Sequence, residues 1–350
     1  MAHLPSLQPD SSLPYDKIQN DASFYAIIRF MNTPIEYRDP DPARFFSEVA
    51  GSYRPAILRG FVRHWPAVQK ALHSPEALCH YVLSMVTDAE VDAVMTPPAE
   101  RGRLFYKPDM EGFNFVRNKV PVARVIEQLA RYSQFDAPPA VAVQSALIEE
   151  CMPRFAEENA APALPPSVKP RLWLGNTITT PAHFDESSNL ACVVSGQRRF
   201  TLFPPEQVDN LYIGPLDFAP TPTPISMVNC GAPDYALHPR FKKAQKTALV
   251  ADLLPGDALY IPTLWWHHVQ SHGPLNMMVN YWWKNAQPAE DAGTTFDALL
   301  ATLKAMRHQP PEVRAAWGAI FRHYVFDPGQ DPSAHIPAHK QGVLHKARPD

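Results

Sequence analysis

A histidine and an aspartate stand one residue apart in Thr179-Thr180-Pro181-Ala182-His183-Phe184-Asp185-Glu186-Ser187-Ser188-Asn189. On a β-strand, residues i and i+2 point to the same side, so His183 and Asp185 would face one space and Glu186 the other. A neutral imidazole beside a carboxylate is half of a metal site or an ordinary hydrogen-bonded pair, and the pair alone does not decide between them. A metal needs more ligands. The best third candidate is His267, far along the chain in Pro255-Gly256-Asp257-Ala258-Leu259-Tyr260-Ile261-Pro262-Thr263-Leu264-Trp265-Trp266-His267-His268. His267 and His268 would face opposite sides of a strand. His268 is therefore expected outward or just behind the ligands, and His272 in a loop.

The elements that must position these residues are strands. The chain has 350 residues, 45% of them hydrophobic, enough for a large core in one big domain with additions. Proline numbers 39 against 14 glycines, so long helices cannot dominate. A net charge of -3 asks for neither a nucleic-acid nor an anionic-membrane partner. No apolar run is long enough to span a bilayer, and the first residues lack the pattern of a signal peptide. Cys79, Cys151, Cys192 and Cys230 form no CxxC, which reads as reduced thiols of a cytoplasmic protein.

Along the chain, residues 1–20 read as a loosely held arm. Residues 21–284 read as one domain, mixed to about 135 and strand-rich from about 140. Residues 285–330 read as helical and 331–350 as a polar tail. In the mixed part, Asp41 is expected to cap a helix, Pro55–Leu58 to form a strand, and Ser74 to cap a helix with Pro75 in its first turn. AEVDAVMT and RLFYKP read as strands and VPVARVIEQLARYSQ as a helix. The centre holds short β-type runs at 140–147, 171–176, 190–196, 198–205, 247–253, 257–262 and 277–283. Turns at Ser195-Gly196, Pro204-Pro205 and Pro255-Gly256-Asp257 punctuate them. This pattern predicts an α+β protein, mainly β, built on a sandwich or jelly roll with flanking helices.

TPAHFDESSN, GQRRFTLFPPEQVDNLY, PDYALHPRF, PGDALYIPTLWWHHVQS and VNYWW follow one another in order, and RPAILRGFVRHWPA precedes them. In these stretches the chain resembles the cupin-like JmjC oxygenases, most closely the asparaginyl-hydroxylase type that inhibits the hypoxia-inducible factor. The spacing of Gly256, Pro262 and His267 matches the second cupin motif, except that Leu264 stands where glycine is usual. The resemblance implies a double-stranded β-helix, with Fe(II) held by His183, Asp185 and His267. Such a 2-His-1-carboxylate set leaves three octahedral positions open, and also accepts Mn(II), Ni(II) or Zn(II).

The resemblance further implies 2-oxoglutarate as co-substrate, bound near Thr180, Asn189 and Asn280, with Trp282 at the mouth. Two residues depart from the family pattern. The lysine that pairs with the far carboxylate of the keto acid falls on Arg198, and a tyrosine that touches the same carboxylate falls on Ala142. Arginine binds carboxylates bidentately but is larger than lysine and not equivalent to it. Strand alternation and family register point Arg198 inward and Arg199 outward. Gln144 is expected on an inner strand, and the proline-rich run 218–235 as a lid or as surface coil. The implied activity is hydroxylation of a protein side chain or a small molecule, and the C-terminal helices imply a homodimer. The altered carboxylate site keeps a rival reading open: a non-oxygenase metal-binding cupin that serves as a ligand-binding or sensory module.

Overall fold

The computed structural model describes residues 32–38, 40–161, 163–284, 293–326 and 331–344. The arm expected over residues 1–20 lies outside the described residues. The chain divides into two units, residues 1–287 and 288–350.

Eleven strands make one sheet in the first unit: β1 (Ile35–Arg38), β2 (Ala56–Arg59), β3 (Glu90–Thr96), β4 (Val116–Pro121), β5 (Ala140–Leu147), β6 (Pro170–Gly175), β7 (Thr179–His183), β8 (Ser188–Phe203), β9 (Leu249–Leu253), β10 (Ala258–Ile261) and β11 (Trp266–Trp283). Its main path runs β1-β2-β10-β8-β11-β6-β5-β3-β4, with β7 added to β11 and β9 to β8. The two long strands, β8 and β11, pair from Ser188↔Trp283 to Phe203↔Trp266 and belong to both layers of a jelly roll. At one end β10 and β6 flank them; at the other, β9 and β7 do. The sheet is not closed, since β1 and β4 end the path.

Alternation sorts the side chains. On β11, Met277, Val279 and Tyr281 enter the larger core, whereas Met278, Asn280 and Trp282 line the interior cavity. On β6, Leu172 and Leu174 enter that core while Arg171 and Trp173 turn inward. Helices cover the core face. They are α1 (Pro66–His73), α2 (Pro75–Leu83), α3 (Val122–Tyr132), α4 (Ile148–Cys151) and α5 (Pro153–Glu158). From α3, Val122, Val125, Ile126 and Leu129 are buried, the i, i+3, i+4, i+7 spacing of one helical face. A second cluster, with Phe200, Leu202, Leu253 and Leu259, fills the space between the layers. The helix α6 (Phe241–Thr247) leads into β9.

The ladder bends where β8 and β11 change neighbours. Gly196 has φ +74°, and a Cβ there would stand 2.3 Å from Asn276 Oδ1 and 2.8 Å from the Leu275 carbonyl. The β11 register shifts between His272 and Met277 at this place. A residue without a side chain lets the strand continue through the corner.

Several expectations hold at the level of single residues. Asp41 accepts from Ala43 N–H and Ser74 from Ala77 N–H. The segment after Asp41 is a succession of 3₁₀ and π-helical turns over residues 42–52, where a regular helix was expected. RLFYKP is not a strand: Arg103 and Tyr106 make only isolated bridges, to Thr179 and Phe113. The expected break at Ser195-Gly196 is absent, and β8 runs through it. The strands β1 and β4 and the helices α4, α5 and α6 were not predicted. His272 lies within β11 and not in a loop, although it is exposed near the Gly273 turn.

The second unit contains α7 (Thr295–Met306), which opens with a capping box between Thr294 and Asp297, and α8 (Pro311–Phe321), which starts on proline. Both lie within residues 285–330, the stretch read as helical from the sequence. Short turns at Ala338–Lys340 and Gly342–Leu344 occur in the segment read as tail.

Candidate metal centre

The end of β7 and the start of β11 meet at the predicted residues. His183 pairs with His267 in the β7–β11 ladder, and their ring centroids are 4.2 Å apart. Asp185 follows the end of β7, and its Oδ2 lies 3.7 Å from His267 Nε2. One ligand atom from each of the three residues lies within 4.8 Å of the others. The Pro255-Gly256-Asp257 turn sets the approach of β10. Asp257 accepts from Leu254 N–H and Gly60 N–H and pairs with Arg59 at 2.7 Å. Leu264 takes φ +65°, the left-handed conformation that explains why glycine is usual at its position. Its N–H donates to the Asp185 carbonyl at 2.9 Å, so this turn also fixes the backbone of the aspartate.

Both imidazoles are oriented from behind. His183 Nδ1 lies 2.9 Å from the Pro181 carbonyl and His267 Nδ1 lies 3.0 Å from the Trp265 carbonyl. A carbonyl can only accept, so each Nδ1 carries its proton, and each Nε2 presents a lone pair. Burial, and then the neighbouring His267, push His183 down to about 4. It is neutral at pH 7, the form that binds metal.

The carboxylate is oriented too. Trp282 Nε1 donates to Asp185 Oδ2 at 3.0 Å, and Asn189 Nδ2 reaches the same oxygen at 3.4 Å. Asn280 Nδ2 donates to Asn189 Oδ1 at 3.3 Å, and Trp173 Nε1 donates to Asn280 Oδ1 at 2.9 Å. Trp173, Asn280 and Asn189 thus form a chain of donors that ends on the metal carboxylate. Asn189, Asn280 and Trp282 line the cavity as expected, but their hydrogen bonds go to Asp185 and to one another. Trp173 was not foreseen. Its signal was the alternation in RLWLGN, which sets Arg171 and Trp173 on one face.

The cavity measures about 440 Å³. His183, Asp185, His267, Thr180, Arg198 and Gln144 all line it. Pro220, Thr221 and Pro222 of the proline-rich run close one side. That run is held in place by Thr223 donating to the Phe184 carbonyl and by Ser226 N–H donating to the Ala182 carbonyl. A smaller recess of about 20 Å³ lies beside Ala142, Thr180, Arg198 and Ser271.

Arg198 is 8% exposed, and its Nε has no hydrogen-bond partner. No carboxylate among the described residues pairs with it. Burial alone pushes its guanidinium down to about 10, so it stays charged at neutral pH. A buried, unpaired guanidinium costs several kcal/mol, on the order expected for removing an ion from water. An anion entering the cavity would offset that cost. Arg199 points away and pairs with Asp252 at 2.7 Å. His268, expected outward or behind the ligands, is only 3% exposed. Burial, then Arg103, pushes it down to about 3, so it packs as a neutral ring and does not face solvent.

The donor set fits a divalent transition metal: two imidazoles and one carboxylate, converging, with carbonyl acceptors behind the two rings and N–H donors on the carboxylate. The unpaired Arg198 fits the distal carboxylate of a keto acid.

Comparison with known proteins agrees with this geometry. Residues 42–288 match the cupin-like domain family. The chain is 28% identical to human bifunctional peptidase and (3S)-lysyl hydroxylase JMJD7 over 282 residues, covering 70% of this chain and 82% of that protein. It is 28% identical to Drosophila melanogaster Jumonji C domain-containing protein 5 over 256 residues, covering 70% of this chain and 58% of the fly protein's length. Human HSPB1-associated protein 1 is 37% identical over 113 residues, 32% of this chain and 22% of that protein. Fold, ligand geometry and family match agree: the chain belongs to the cupin-like domain family, among JmjC-type relatives that include a lysyl hydroxylase.

Proposed function

We propose that this protein is an Fe(II)- and 2-oxoglutarate-dependent oxygenase that hydroxylates a side chain of a protein substrate. The observation that carries this reading is the shared cavity. Three converging metal ligands and a buried arginine that pairs with no carboxylate among the described residues line the same space. Iron with 2-oxoglutarate and O2 supplies the oxidising power for C–H hydroxylation. His183, Asp185 and His267 would hold the metal. Trp282 and Asn189 fix the carboxylate so that it presents the same oxygen throughout. Arg198 and Thr180 receive the far carboxylate of the keto acid, and Ala142 leaves room for the larger guanidinium. Thr221 and its flanking prolines restrict water at the mouth.

The kinship with the asparaginyl-hydroxylase type rests on the motif stretches alone. The relative named as a lysyl hydroxylase supports a protein substrate more broadly. A small-molecule substrate is the narrower alternative. All four cysteines are free, in keeping with a cytoplasmic protein. Among the described residues no helix is long and apolar enough to cross a membrane. The amphipathic helices α7 and α8 are the proposed surface for a second copy of the chain.

The test is iron-dependent conversion of 2-oxoglutarate to succinate, with His183→Ala as control. Turnover in the wild type that the variant loses supports the oxygenase. Metal binding without any keto-acid affinity would favour a non-oxygenase cupin, the reading that the Arg198 and Ala142 departures keep in view.

A further inference from the structure

The wall of the cavity beside Trp282 carries charge that neither metal nor co-substrate uses. Arg171, from β6, lines it, and Arg117 lines the same cavity from β4, beyond β5 and β3. Arg171 spends one guanidinium nitrogen on the Ser145 carbonyl at 3.0 Å and lies over the Trp282 ring at 5.6 Å. No carboxylate among the described residues pairs with Arg171 or Arg117. Of the two acids that line the cavity, Asp185 is the metal carboxylate and Asp92, on β3, faces Lys119 at 3.4 Å. The β5 register shifts between Val143 and Ala146, and Ser145 takes φ 52°. This bulge lets two consecutive residues, Gln144 and Ser145, both line the cavity, which a regular strand would forbid. Arg171 holds the bulge in that form.

The charge balance gives the wall its meaning, and here the argument rests on the proposed oxygenase reading. In the loaded centre the charges of Fe(II) and Arg198 are cancelled by Asp185 and the two carboxylates of 2-oxoglutarate. What remains beside Trp282 is Arg171. A lysyl or arginyl side chain entering there would meet like charge without an available acid. We infer that the substrate presents a carboxylate to Arg171, beside Trp282, and so differs in charge from a lysyl substrate. Because Trp282 also donates to Asp185, an anion on Arg171 sits one indole away from the metal carboxylate.

The test uses the full-length protein labelled with ¹⁵N-arginine, and reads the Nε–H resonances of Arg171, Arg117 and Arg198, assigned by R171Q, R117Q and R198Q. The probes are acetyl-Ala-Glu-Ala-amide, its Lys counterpart and propionate. The expected result is a saturable shift of Arg171 with the acidic peptide or propionate, and none with the Lys peptide. R171Q should weaken acid binding about tenfold or more, the loss expected for a charge-assisted hydrogen bond, while R198Q leaves it intact. R171K should restore part of the affinity, which guards against a merely unfolded R171Q. A response to the peptide identifies a protein side chain as the source, and a response to propionate alone a small acid. Silence from both, tighter binding of the Lys peptide, or an acid response confined to Arg198 and lost in R198Q would overturn the inference. Failure of the oxygenase reading shows separately, as 2-oxoglutarate leaving the Arg198 resonance unmoved.

Discussion

Trp282 donates its indole N–H to Asp185 Oδ2 at 3.0 Å, and so ties the end of β11 to the metal carboxylate at the end of β7. The aspartate therefore keeps its orientation before any metal arrives. Trp282→Phe preserves most of the ring volume and removes the donor. Loss of such an orienting bond typically weakens metal affinity by about 10–100-fold. Competition titration with Mn(II) or Co(II) checks this, with near-UV circular dichroism to show that the fold survives. Unchanged affinity would mean that Asn189 alone suffices.

The buried histidines make the metal-free protein sensitive to acid. His183 is held down at about 4 and His268 at about 3, both well below an unfolded histidine. Between those values and about pH 6.5 the unfolded chain binds more protons than the folded one. Stability is therefore fully present above about pH 6.5 and falls as the pH drops toward 4. Thermal midpoints of metal-free protein should decline over this window, and His268→Gln should flatten part of the decline. A midpoint that does not move between pH 7 and pH 5 would contradict the burial of neutral rings.

The corner at Gly196 leaves no room for a side chain. Gly196→Ala would set a Cβ 2.3 Å from Asn276 Oδ1 in a left-handed backbone. Strain and displacement together should cost about 2 kcal/mol or more, read as a lower urea midpoint. Leu264 is the opposite case. It already occupies φ +65° with a branched side chain, so Leu264→Gly should leave stability unchanged or raise it by up to about 1 kcal/mol.

Much of the site was legible because it depends on local rules. His183 on a strand and the split facing of His267 and His268 follow from the period of two, and the Pro-Gly-Asp turn from its residue types, while Asp185 joins the site just beyond the end of β7. The caps at Asp41 and Ser74 were readable from side-chain chemistry alone. What sequence reading missed depends on partners distant in the chain. Ser195-Gly196 looks like a turn, yet strands on both flanks stabilise a continuous β8. His268 reads as an outward residue or one behind the ligands, and it is buried close to His183. The strand β4 is exposed along most of its length and carries little apolar pattern. Asn189 and Asn280 were placed by register, but their mutual hydrogen bond joins residues 91 positions apart, which no spacing rule reveals.

The central claim is that Arg198 and the three metal ligands serve one keto acid. Anaerobic, Fe(II)-loaded protein titrated with 2-oxoglutarate tests it directly through the visible charge-transfer band of an iron–keto-acid chelate. The account predicts a band that saturates in wild type and needs about tenfold or more 2-oxoglutarate in Arg198→Ala, the loss expected for a buried charge-assisted pair. Iron bound through His183, Asp185 and His267 with no band at any 2-oxoglutarate concentration would contradict it.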